Sequence, residues 1–172
     1  MDNESMIIRL SGKLGDKIDA NPDDKLPPHE NPYLDWSGHL FRAPRKQYIL
    51  ITNTASLYSI IIEGRGIIDG DLLREKIVGE WETMLDEDGF QSIFKHHIKP
   101  AVGEYSFSKA LNRTVIGSMN DLVRLAESRL GKQGYTPHET AIKLNETPFS
   151  YLDYGYPREA FQELKSGQGL TE

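Results

Sequence analysis

The residues best placed to do chemistry lie between Asn112 and Arg124. Asn112, Arg113, Ser118, Asn120 and Arg124 offer two amides, a hydroxyl and two guanidinium groups. Arg113 and Asn120 are seven apart and Arg124 is four further on, so a helix would hold them on a similar side. Guanidinium forks and amides suit a phosphate or a peptide backbone. The same residues also have simpler uses: Asn112 can cap a helix, and Arg124 can pair with Asp121. Gly117 costs a helix roughly 1 kcal/mol against Ala, which points to close approach of another backbone or a ligand.

Other candidates are weaker. Arg65 sits in Gly64-x-Gly66-x-x-x-Gly70, between a strand pattern and a helix pattern. The spacing departs from the dinucleotide fingerprint and no Gly-Lys-Ser/Thr follows, so this reads as a turn that exposes Arg65. The five histidines, His29, His39, His96, His97 and His138, form no His-x-x-x-His pair. No metal is expected, and no motif calls for a cofactor. Asp69 and Asp71 suit helix capping. Asp86-Glu87-Asp88 sits where a helix should end, and acids there oppose the macrodipole without an evident reason. A two-carboxylate site would need convergence in a cleft. Tyr33, Trp36, Phe41, Tyr48 and Tyr58 interleave with Arg42, Arg45, Lys46 and Arg65. That pattern fits either stacking on bases or an aromatic core.

Charge and composition narrow the setting. The chain of 172 residues has a net charge of −6, 38% hydrophobic residues and no cysteine. It is long enough for one domain with a core, and thiolate, iron–sulfur and disulfide chemistry are excluded. No apolar run approaches a membrane span and no secretory signal opens the chain, so a cytoplasmic location is expected, with no membrane partner. The charge is uneven: residues 36–68 and 105–135 each carry +3 against an acidic remainder. If these segments pack together they form an anion-attracting face; otherwise they solvate separate surfaces.

The elements that must position these groups follow from local pattern. Met6–Leu10 reads as a strand, followed by a short helix capped by Ser11. Residues 19–32 hold four prolines and read as a loop or an unfolded excursion. Residues 32–41 are aromatic-rich, either a strand or an irregular packed segment. Residues 46–52 and 56–63 read as strands joined into a hairpin. A helix capped by Asp69 or Asp71 runs to about residue 86, and a short one covers 90–98. Tyr105–Leu111 alternates as an edge strand. The helix after it turns Val115, Ile116, Met119, Leu122, Val123, Ala126 and Leu130 to one apolar face and ends at Gly131 or Gly134. Thr136-Pro137-His138-Glu139 is a capping box, and a last helix covers 156–164. The expected fold is α+β: a small antiparallel sheet from the N-terminal half, covered on one side by helices from the C-terminal half. One globular domain is expected over 1–165, with a flexible tail over 166–172.

Five segments carry a family resemblance: Met6-Ile-Ile-Arg-Leu, Asn31-Pro-Tyr-Leu-Asp-Trp, the run Arg45 to Ser59, Leu111-Asn-Arg-Thr-Val-Ile-Gly-Ser-Met-Asn-Asp-Leu and Leu144-Asn-Glu-Thr-Pro-Phe-Ser-Tyr-Leu. Together they resemble an uncharacterised bacterial family of short single-domain proteins, which implies no activity and no catalytic residues. A local pattern, Leu144-Asn145-x-x-Pro148-x-x-x-Leu152-x-Tyr154-x-x-Pro157-x-Glu159-x-Phe161, is similar to the end of the catalytic domain of insertion-sequence transposases. The acidic triad spacing of those enzymes is absent, so the similarity reads as a shared helix–break–helix packing device or a coincidence. The expected function is a non-enzymatic binding module for nucleic acid or a protein partner. The alternative is an enzyme acting on a phosphate-bearing substrate through Arg65, Asn112, Arg113 and Asn120. The sequence alone decides neither catalysis nor oligomeric state.

Overall fold

A computed structural model describes residues 5–164. The tail expected over 166–172 lies outside them, as do residues 1–4 and 165 of the expected domain. Among the described residues, five strands form one mixed sheet in the order β4-β3-β2-β1-β5. They are β1 (Met6–Leu10), β2 (Asp35–Arg42), β3 (Gln47–Asn53), β4 (Ser59–Glu63) and β5 (Tyr105–Ser108). β2, β3 and β4 are antiparallel, while β1 runs parallel to both β2 and β5. The α+β class therefore stands, with a mixed sheet in place of an antiparallel one. β5 is an edge strand, as its alternation indicates, but it is supplied by the later part of the chain.

Six helices are found among the described residues: α1 (Gly12–Lys17), α2 (Gly70–Glu87), α3 (Gln91–Ile93), α4 (Arg113–Gly131), α5 (Pro137–Asn145) and α6 (Pro157–Gln162). A π-helical turn, Phe94–Ile98, continues α3. The caps are those the sequence signals. Ser11, Asp69, Asn112 and Thr136 each accept a backbone N–H at a helix start, and Thr136 with Glu139 closes the capping box. Between Asp69 and Asp71, Asp69 is the cap; Asp71 instead accepts from the Tyr105 hydroxyl at 2.6 Å.

Helices cover both faces of the sheet, not one. Successive residues of β1, β3 and β4 are buried whichever way they point. Trp36 packs against Trp81 of α2, with ring centroids 4.6 Å apart and the rings tilted by 45°. His39, three residues along the same strand, points to the opposite face by strand alternation, and the charges of Lys13 and Glu127 act on it. Burial lowers the His39 pKa, Lys13 lowers it further, and Glu127 partly opposes the shift. At Gly38, an added Cβ would come 2.7 Å from Leu14 Cδ2, so glycine there lets α1 sit directly on the sheet.

The β4 edge is closed by a side chain. Asn145, at the end of α5, accepts from Ser59 N at 2.8 Å and donates to Ser59 O at 3.0 Å. The amide stands where a sixth strand would bond, which leaves less open edge for unwanted pairing.

Loop 18–31, between α1 and the 3₁₀ turn Pro32–Leu34, is ordered around a buried ion pair rather than unfolded. Arg9 and Asp35 have fully buried side chains and meet through two bonds, Nε–Oδ1 at 2.9 Å and Nη2–Oδ2 at 2.8 Å. Arg9 also donates to the carbonyls of Leu26, Pro27 and Lys109 and to Ser108 Oγ. Asp35 accepts from His29 N and Thr54 Oγ1. A buried ion pair is tolerable only when its remaining donors and acceptors are met, and here the loop supplies many of them.

Candidate functional site

Two elements build a cationic groove. The first is the turn after β2, where Ala43 N donates to Lys46 O at 3.0 Å and Arg42 reaches back to Arg45 O at 3.4 Å. The second is the C-terminal half of α4. Its apolar face is pressed inward from Val115 to Leu130, except that Ile116, expected on that face, lies at its margin and is 44% exposed; Arg124, Glu127 and Ser128 face out, and Lys132 is exposed just past the helix end. Between them lies an open groove of about 720 Å³, lined by Arg42, Pro44, Arg124, Glu127 and Lys132 among others. Three cations face one carboxylate. Arg42 comes from the first positive segment and Arg124 and Lys132 from the second. The two basic stretches of an otherwise acidic chain therefore converge.

The groove takes in one of the six residues singled out above. Arg124 lines it and also pairs with Asp121 one turn away. Asn112 caps α4, accepting from Val115 N at 2.9 Å. Ser118 donates to Thr114 O within its own helix at 3.0 Å. Arg113 and Asn120 are exposed on α4, and Arg65 is exposed in the turn after β4. None of these five lines the groove. Arg42 and Lys132 take their place. Both belong to the positive segments, but only tertiary contact reveals their pairing.

Gly117 needs a different explanation from the one its helical position suggests. A Cβ built there meets nothing within 4 Å, so no backbone approaches it. Gly117→Ala is therefore expected to stabilise the protein by roughly 1 kcal/mol through helix propensity, read as a raised urea midpoint. Unchanged or reduced stability would mean that the glycine conformation is required.

The remaining candidates resolve as packing. Tyr33, Trp36, Phe41, Tyr48 and Tyr58 are all buried, so their faces are not available to bases. Gly66 has φ +84°, as a turn glycine does. The acidic run at the end of α2 acquires partners. Asp86 accepts from Gln91, Glu87 meets His138, and Asp88 takes both the Tyr58 hydroxyl and Arg158. Burial, then the bond to Asp88, raises the Tyr58 pKa far above the usual phenol range. Among the described residues, no group of three His, Cys, Asp or Glu side chains is placed to hold a metal ion. Nor is any described helix long and apolar enough to cross a membrane.

With this geometry, residues 7–160 match the family described as Domain of unknown function (DUF6933). The chain belongs to that family. The match spans the DUF6933 fold from β1 into α6, and so includes both walls of the groove and the Arg9–Asp35 pair. No curated protein and no solved structure matches this DUF6933 chain.

Proposed function

We propose that the protein is a non-enzymatic binding module whose partner is nucleic acid, held by its phosphates in the groove between the β2–β3 turn and α4. The observation that carries this reading is the convergence of Arg42, Arg124 and Lys132. Clustered cations on an acidic protein attract a polyanion locally while the rest of the surface repels it, which favours one orientation. With Tyr33, Trp36, Phe41, Tyr48 and Tyr58 buried and no aromatic among the described residues that line the groove, binding rests on phosphates and not on stacked bases.

The test is binding to short single- and double-stranded DNA and RNA across a salt series. If all three cations contact phosphates, affinity falls with salt at a log–log slope of about −2 to −3, since each neutralised phosphate contributes roughly −0.7 to −0.9. Replacing Arg42, Arg124 and Lys132 together by Ala should flatten that slope and remove most of the binding. Binding unaltered by the triple change would place the contact elsewhere. Absence of binding at low salt would reject nucleic acid and leave a protein partner with an acidic surface.

A further inference from the structure

His138 opens α5 and lies between two carboxylates of α2. Its Nδ1 is 3.3 Å from Glu80 Oε2, and its Nε2 meets Glu87 Oε2. A neutral imidazole carries one N–H and can donate to only one of them. Satisfying both carboxylates requires the doubly protonated ring. The imidazolium also sits in the first turn of α5, where the helix dipole disfavours a cation, so the two α2 carboxylates are what hold it. Glu139 on α5 is a third acid whose charge is coupled to it. The other end of α5 carries Asn145, which closes the β4 edge at Ser59. One short helix is thus fastened at its start by a titratable contact and at its end by the contact that seals the sheet.

We propose that α5 is a pH-dependent latch: protonated His138 fastens it to α2, and loss of that proton loosens α5 and uncovers the β4 edge at Ser59. Desolvation pulls the His138 pKa down, but the bonds to Glu80 and Glu87 outweigh it and leave the pKa raised. A raised folded value gives the direction. The latch is fully fastened below the unfolded histidine value of about 6.5 and weakens as pH rises through the higher folded value. The loosened state presents the backbone N–H and C=O of Ser59 to any strand that can pair with them.

Hydrogen exchange tests this at about pH 6 and about pH 9, with intrinsic exchange divided out. Protection over residues 59–63 and 137–145 should fall by about threefold at the higher pH, the size expected of partly exposed ion pairs, while β1 and β2 hold their protection. His138→Gln should show the looser behaviour at both pH values, and His96→Gln, altered outside the latch, should behave as wild type. Three results would overturn the proposal. One is protection that does not respond to pH in these segments. Another is a fall shared equally by β1 and β2, which would make His138 a contributor to global stability alone. The third is a His138→Gln protein that keeps the pH response.

Discussion

Asp35→Ala is expected to cost about 3–5 kcal/mol of folding stability, the usual loss when one partner of a buried ion pair is removed. The guanidinium of Arg9 would stay behind, fully buried, with its charge uncompensated. Asp35 also accepts from His29 N and Thr54 Oγ1, so two further donors would lose their acceptor. Thr54 passes its only hydroxyl proton to Asp35 and therefore accepts from Ser37 at 2.8 Å, so the disturbance reaches a second site on β2. Urea unfolding measures the effect as a shift in midpoint. A typical domain has 5–15 kcal/mol in hand, so the variant should be close to the margin. A loss under about 1 kcal/mol would show that the carbonyls of Leu26, Pro27 and Lys109 are enough to hold Arg9. The double change Arg9→Met with Asp35→Leu separates charge from packing. It should recover much of the loss in the sheet, because apolar replacement of a whole buried pair is often tolerated. Loop 18–31 should become more open to proteolysis even so, since Arg9 is what binds two of its carbonyls.

The ion pair joins residues that no local pattern links. Arg9 and Asp35 are twenty-six residues apart and meet because β1 lies parallel to β2, with Ile7 opposite Asp35. A parallel pair has no hairpin turn to announce it. A signal was nonetheless present. Met6 to Leu10 is apolar on both sides of Arg9, and Ile49-Leu50-Ile51 and Ile60-Ile61-Ile62 run on without alternation. Unbroken apolar runs mark strands covered on both faces, and an arginine inside one has nowhere to go but a buried partner. Taken as ordinary hairpin strands, those runs would leave one face of the sheet in water, whereas β3 is buried along nearly its whole length. Helix ends were legible because their signals are local: the caps at Ser11, Asp69, Asn112 and Thr136 each act within three residues. The groove lies between these cases. Two positive segments could be counted in the sequence, but only the packing of α4 beside the β2–β3 turn brings Arg42 to Arg124.

Phe161→Ala is the second change with a large expected effect, again about 3–5 kcal/mol. Phe161 sits in the last described helix yet is fully buried. Its ring stacks on Tyr58 at 4.5 Å, meets Tyr33 edge-on at 5.1 Å, and lies 5.9 Å from both Trp36 and Phe90. One side chain therefore ties α6 to β2, to the residue leading into β4, to the 3₁₀ turn before β2 and to the residue leading into α3. This gives the pattern from Leu144 to Phe161 a physical meaning without any catalytic role: Pro148 breaks the chain after α5, Pro157 starts α6, and Phe161 plugs the aromatic cluster. The two tryptophans, Trp36 and Trp81, are buried against each other beside that plug, so their fluorescence reports on it. Phe161→Ala should lower the urea midpoint and shift tryptophan emission to the red under native conditions. Phe161→Leu, which keeps most of the apolar volume, should lose clearly less. A normal midpoint with unshifted emission would mean that α6 merely rests on a core already complete without it. A red shift with an unchanged midpoint would mean that α6 detaches as a unit while the sheet and its flanking helices stay folded.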